Sequence, residues 1–370
     1  MTDILRTTSD GHQEIRTGLG WRKVLSPTSN EATTELPVID IEDTIHPDVE
    51  CRRAVAKKIC AAAERTGFFY ITNHGVSNPL IESIFDEARR FCHELTLEEK
   101  MELDTEKHDH YYGYYPIKLN PNQPSGASER QLTLKELNES INYGYEPSTD
   151  PDAADVTNNG DNWWPSEERL PGHRRMVKSF MSEVLKLSRR LLRMFALGLG
   201  LDEHAFDYLA TRPYSILKLA HYPGTIEGSE EPSAIRPHTD YEILTLLLQD
   251  NIPSLEVLSN TGQWIQAKPI PGTFVVNIGD TMAMLTNGLF MSTMHRVLNT
   301  SRRTRYSVPF FLGANQDAVI KALDKYVTPD NPAKFQPMTS GEYIRRGLQA
   351  VYSKPNTEVI YETIEIKALG

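Results

Sequence analysis

Cysteine is scarce in this sequence: three residues in 370, Cys51, Cys60 and Cys92, all in the N-terminal third. That number and spacing exclude an even disulfide framework and match no zinc pattern, so reduced, buried thiols are expected. No apolar run approaches a membrane span, and Met1 to Gly20 lacks the apolar centre of a secretory signal. A cytoplasmic protein is expected. Basic clusters are absent as well, and the formal net charge of −11 argues against nucleic acid or an anionic membrane as a partner. Two catalytic signatures are also missing. Gly198 and Gly200 follow no strand and lack dinucleotide-binding spacing, and no serine or cysteine lies in a nucleophile elbow.

What is present suits a large folded core, with 39 % hydrophobic residues. Residues 1–35 mix Thr, Ser, Gly and charge without apolar period and read as an irregular N-terminal arm. The stretch 36–170 begins with a short strand, Leu36 to Asp40. An amphipathic helix from Pro47 to Thr66 follows, with Val55, Ile59, Ala62 and Ala63 on one face and a stop at Gly67. Phe68 to Thr72 makes a strand and Asn78 to Leu95 a helix, and Thr96-Leu97-Glu98-Glu99 carries a capping box. From about 104 to 166 the character changes. Tyr111, Tyr112, Tyr114 and Tyr115 crowd together among Pro116, Pro121, Pro124 and Gly126, as in a lid or substrate-contacting segment. His108-Asp109-His110 within it imitates a metal pair, but without a third ligand it reads as a solvated polar cluster.

The unit 171–320 opens with a long helix, Pro171 to Leu201, whose Met176, Phe180, Val184, Leu187, Leu191 and Phe195 recur at three and four. Short apolar segments alternate with Pro, Gly and Asn turns from Ser215 to Asn315, including Ser254 to Leu258, Trp264 to Ala267, Thr273 to Ile278 and Met291 to Leu298. Strands so spaced predict a mainly β (α+β) fold, a double-stranded β-helix or jelly roll with flanking helices. Residues 321–370 form a C-terminal extension, with a helix from Tyr343 to Tyr352 behind Thr339-Ser340-Gly341-Glu342.

The stretch Arg236 to Gln249 carries the chemistry. Pro237 favours extended backbone before it, so His238 and Asp240, two apart, are expected on one face of a strand. His295, in a second β-like segment, supplies another imidazole. Two histidines and one carboxylate form the facial triad of non-haem Fe(II) sites, which leaves coordination positions open. Ten residues on, Arg305 and Ser307 again stand at i and i+2 in an apolar run. A buried guanidinium there needs an anion, and its fork fits a carboxylate.

Together, His238, Asp240, His295, Arg305 and Ser307 resemble the metal and cosubstrate signature of the 2-oxoglutarate and Fe(II)-dependent dioxygenases, in the branch that also holds isopenicillin N synthase. Glu64 to Val76 resembles that family's N-terminal segment, and Leu219-Ala220-His221-Tyr222-Pro223 its cosubstrate-tyrosine segment, with Tyr222 as the tyrosine. Two departures stand out: Ala220 replaces a frequent asparagine, and Asn251 to Val257 replaces a Gly-Gly-Leu turn. The resemblance implies Fe(II) on His238, Asp240 and His295, with 2-oxoglutarate on Arg305, Ser307 and Tyr222, and O2 at the last metal position. It implies C–H oxidation of a small molecule, by hydroxylation, desaturation or ring closure, with release of succinate and CO2, in a natural-product step. A cosubstrate-free Fe(II) oxidase and a non-catalytic jelly-roll binding protein are the alternatives. A zinc hydrolase would need a water-activating carboxylate that the sequence does not place.

Overall fold

Strands whose residues alternate between apolar and polar bury one face, and two such sheets reach stability by packing those faces together. The computed structural model, which describes residues 4–29, 32–107, 111–117, 138–153, 162–224 and 233–352, has this arrangement. The chain opens with β1 (Leu5–Thr7), β2 (Gln13–Thr17) and β3 (Gly20–Lys23). Next come β4 (Val38–Asp40), α1 (Val49–Arg65), β5 (Phe68–Thr72), α2 (Asn78–Glu94), α3 (Leu97–Glu102), β6 (Gly113–Tyr115) and β7 (Glu139–Gly144). After α4 (His173–Gly198) follow β8 (Pro213–Tyr222), β9 (Ser233–His238), β10 (Leu244–Gln249), β11 (Leu255–Leu258), β12 (Trp264–Gln266) and β13 (Phe274–Ile278). The last elements are α5 (Asp280–Leu285), β14 (His295–Asn299), β15 (Arg305–Asn315), β16 (Val319–Ile320), β17 (Met338–Thr339) and α6 (Ser340–Tyr352).

Eight strands form the major sheet, in the order β4-β5-β13-β10-β15-β8-β7-β6, and four form the minor sheet, β12-β11-β14-β9. The pairings are antiparallel except β4 with β5. This is the jelly roll read from the strand spacing. Between the sheets lies an inner core, in which Phe68, Ala220, Tyr222 and Val275 of the major sheet meet Leu255, Val257 and Val297 of the minor one. The outer face of the major sheet packs on the helices. There Val177, Phe180, Val184, Leu191 and Phe195 of α4 join Val55 and Ile59 of α1 in the larger core. The predicted helix stop is also present: Gly67 takes φ +68°, where an added Cβ would lie 2.1 Å from the Met291 carbonyl oxygen. Thr96 and Glu99 close the capping box at α3.

Two expectations need correction. The N-terminal arm is not irregular, because β1, β2 and β3 pair as an antiparallel meander. Its strands are polar because only one residue reaches a core: Ile15 packs on Leu258 and Met294. The segment from Met291 to Leu298 is a strand only from His295 onward. Before it, Gly18 and Thr293 tie the segment to the meander and to α1 by bonds to the Ser292 and Thr66 carbonyls. His108-Asp109-His110 and much of the tyrosine-rich segment lie outside the described residues. No helix among the described residues is long and apolar enough to cross a membrane.

Candidate active site

Strand pairing, rather than sequence proximity, brings the three expected metal ligands together. β14 lies beside β9 with His295 opposite His238, so the two rings stand 4.2 Å apart between centroids. The ladder then slips between His295 and Val297, a local irregularity of the kind that re-aims side chains. Asp240 arrives differently from the expectation, since β9 ends at His238 and Asp240 lies in the irregular segment beyond it. Its Oδ1 nevertheless lies 3.8 Å from His238 Nε2 and 3.6 Å from His295 Nε2. The three donor atoms fall within 4.8 Å of one another.

The surroundings fix each donor. His238 Nδ1 donates to the Arg236 carbonyl at 2.8 Å and His295 Nδ1 to the Thr293 carbonyl at 3.1 Å, which leaves both Nε2 lone pairs facing Asp240. The other carboxylate oxygen, Oδ2, accepts from Thr245 Oγ1 at 2.5 Å and from Asn277 Nδ2 at 2.7 Å. Burial, and then the neighbouring His295, lower His238 to about 4, so it is a neutral ligand near neutral pH. Burial works against the charge of Asp240, but the two imidazoles and the two hydrogen bonds outweigh it and hold the carboxyl below its usual range. Burial and the Asp240 charge push the adjacent Glu242 up to about 8, keeping this second carboxyl neutral. One carboxylate and two imidazole Nε2 atoms, each ring oriented by a backbone carbonyl, suit a divalent cation.

A cation is buried further along the inner wall. On β15, Arg305 pairs with Tyr222 of β8, and Ser307 with Ala220 of β8 and Gln249 of β10. Arg305 is 1 % exposed. Its guanidinium lies 4.8 Å from the Tyr222 ring centroid, and Nη1 donates to Ser307 Oγ at 3.2 Å. Nε has no partner among the described residues. Asp250, which feels the Arg305 charge, is engaged by the backbone N–H groups of Tyr306 and Ile252 at 2.6 and 2.9 Å. A guanidinium buried with an orphaned N–H fits a small carboxylate beside Ser307.

A second set of donors, Cys92, Glu139 and His221, also converges, on the opposite face of β7 and β8. It does not suit a metal. Glu139 accepts from His221 Nδ1 at 2.7 Å, Tyr114 Oη at 2.6 Å and the Lys100 ammonium at 3.1 Å, and burial pushes the Cys92 thiol up to about 12. This network is already satisfied and occupied by a cation. Arg296 is likewise structural, because it bonds Glu256 across the strands at 2.7 Å and covers the Trp264 ring at 4.2 Å.

Thr245 and Asn277 escaped the sequence reading. Their signal was there, a lone hydroxyl in Leu244 to Leu248 and a lone amide in Phe274 to Ile278, since a polar residue inside a buried strand needs a partner.

Comparison with known proteins agrees with this geometry. A model of the 2OG-Fe(II) oxygenase superfamily matches residues 213–314, and one described as non-haem dioxygenase in morphine synthesis N-terminal matches residues 36–167. The chain is 32 % identical to the 2-oxoglutarate-Fe(II) type oxidoreductase ppzC of Metarhizium majus, over 94 % of this chain and 97 % of that protein. It is also 32 % identical to the clavatol oxidase claD of Penicillium crustosum, over 88 % and 99 % of the two chains. Among solved structures, Neurospora crassa T7H in complex with alpha-KG and thymine superposes with a TM-score of 0.74 at 28 % identity, covering 86 % of this chain and 97 % of that one.

Proposed function

Because the chain belongs to the 2-oxoglutarate- and Fe(II)-dependent dioxygenases, oxidoreductases that act on small molecules, we propose that His238, Asp240 and His295 hold its iron and that Arg305, Ser307 and Tyr222 hold its 2-oxoglutarate. The observation that carries the reading is the presence of two half-sites in the space between the two sheets. Three donor atoms lie within 4.8 Å, and a buried guanidinium with an unpaired N–H stands apart from them. Bound Fe(II) and 2-oxoglutarate together supply the chemistry, in which O2 and the cosubstrate are converted to succinate and CO2 while a substrate C–H bond is oxidised.

The side chains of this chain do the holding and the shielding. The Arg236 and Thr293 carbonyls orient the two imidazoles, and Thr245 and Asn277 restrict Asp240 to a single free oxygen. Arg305 would receive the distal carboxylate of the cosubstrate, while Ser307 would add a hydroxyl and the Tyr222 ring supports the cation from one face. The apolar inner core, from Phe68 to Val297, keeps water from the carboxylate once it is seated. Hydroxylation of a small molecule is the default outcome, and a natural-product tailoring step fits the company of the clavatol oxidase.

Anaerobic addition of Fe(II) and then 2-oxoglutarate to the purified protein tests the assignment. The expected result is the weak visible charge-transfer band of the chelate, lost in Arg305→Ala at matched cosubstrate concentration. A band that survives in Arg305→Ala assigns the anion site elsewhere. Iron binding without any band would make a cosubstrate-free oxidase the better reading.

A further inference from the structure

Buried polar atoms without partners are few in folded proteins, and each asks for an explanation. Among the described residues, half of those in this chain face the space between the two sheets: Arg305 Nε, Gln249 Oε1, Ser140 Oγ and Asn142 Oδ1. Arg305 Nε, a donor, belongs with the cosubstrate carboxylate, and Gln249 Oε1, an acceptor, lies on the strand pair beside Ser307. Ser140 and Asn142 stand on β7, opposite Ala220 and Lys218 of β8, and are 1 % and 7 % exposed. Partners directly across an antiparallel ladder share a face, as do residues two apart. Lys218 therefore lies on the same wall as Ala220 and Tyr222, whose side chains form the inner core.

Lys218 has neither an ion pair nor a hydrogen bond among the described residues, and its register opposite Asn142 places it on the wall that carries the orphaned groups. The other face of the same two strands is fully paired, with Glu139 held by His221, Tyr114 and Lys100. The orphaned groups thus mark one side of the sheet and not loose packing of these strands. Tyr112 borders them, its ring lying on Gly144, where an added Cβ would come within 2.3 Å of Cζ. Tyr214, four residues before Lys218 and on its face, has its ring centroid 6.1 Å from that of Tyr112.

We infer that Lys218, Asn142 and Ser140 anchor the primary substrate, and that this substrate is a small carboxylic acid with an apolar body. The inference rests on the site assignment above. The ammonium takes the carboxylate, the Ser140 hydroxyl donates to its second oxygen, Asn142 Oδ1 accepts from an adjoining N–H or O–H, and the tyrosine-lined wall takes the body. A carboxylate could also come from the iron-side end of 2-oxoglutarate. Lys218 lies four residues along β8 from Tyr222, however, roughly 13 Å of strand, which favours a second molecule.

The test uses the full chain with Fe(II) and 2-oxoglutarate and a panel of small carboxylic acids, each paired with its primary amide. O2 uptake and succinate release are measured, with the anaerobic charge-transfer band as a control. Acids are expected to stimulate turnover, and their amides at least tenfold less. Lys218→Met should raise the KM of a stimulating acid tenfold or more while the band forms at an unchanged Kd for 2-oxoglutarate; Lys218→Arg should recover part of the loss, and Asn142→Ala should show a smaller rise. Amides as effective as acids, a panel in which no acid stimulates, or an unchanged KM in Lys218→Met overturns the inference. A shift in the Kd for 2-oxoglutarate in Lys218→Met also overturns it, by placing the lysine in the cosubstrate site. Failure of the wild-type band is a separate result that removes the underlying site assignment as well.

Discussion

Asp240 turns one oxygen toward the two imidazoles and gives the other to Thr245 and Asn277. A free carboxylate would rotate between these environments, so the two donors set which lone pairs a cation meets. Thr245→Val and Asn277→Leu should each weaken Fe(II) binding about 10- to 100-fold in an anaerobic titration, with unchanged far-UV circular dichroism; equal affinity in both variants would remove the positioning role. At this scale the candidate residues were legible in sequence because imidazole, carboxylate and guanidinium are costly in apolar strands and therefore conspicuous. Ser140 and Asn142 were not, since they fall in a stretch whose prolines and glycines suggest one long loop. Their strand forms because β8 offers it an edge, which is a tertiary cause that no local pattern records.

Among the elements, β7 and β8 use their two faces differently. The outer face carries Glu139 among Lys100, His221 and Tyr114. Burial raises its carboxyl, but these partners outweigh burial and bring it down to about 2 from an ordinary 4.5. A carboxyl depressed in the folded state stabilises above its unfolded value, and the gain fades as pH falls from there toward the folded value. Denaturant melts should therefore show wild type losing on the order of 3 kcal/mol between pH 5 and pH 2 from this group, a loss absent in Glu139→Gln. That variant should already be less stable at pH 7 by a similar amount, because it leaves Lys100 buried without its anion. Identical acid profiles would mean that another group governs acid sensitivity. Helices were the most legible elements: α1 stops at Gly67 and α3 starts at Thr96 through backbone geometry that those residues dictate locally. The meander β1–β3 was hidden because only Ile15 and Thr17 of its twelve strand residues are buried, and hydrophobic period reports only elements that bury a face.

Across the whole molecule, the candidate site depends on both sheets. His238 and His295 come from the minor sheet, whereas the residues that steady Asp240 and the anion end come from the major one. The N-terminal meander braces this arrangement, since Ile15 packs on Met294 and Gly18 bonds the Ser292 carbonyl just ahead of His295. A chain lacking residues 1–24 should still fold, melt several degrees lower and bind Fe(II) more weakly; calorimetry and metal titration read the two effects, and intact affinity would make the meander a mere cover. Wider consequences attach to the alternation along β8. Even-numbered positions, Lys218 among them, face the space between the sheets, while odd-numbered ones such as Leu219 and His221 are sealed on the outer face. A lineage can thus exchange an inner-face residue such as Lys218 with little disturbance behind it, whereas inserting or deleting a single residue would swap the two faces at once. If Lys218 anchors the substrate, substitution there changes substrate preference without touching the outer core, and the strand's length is the character that descent must preserve.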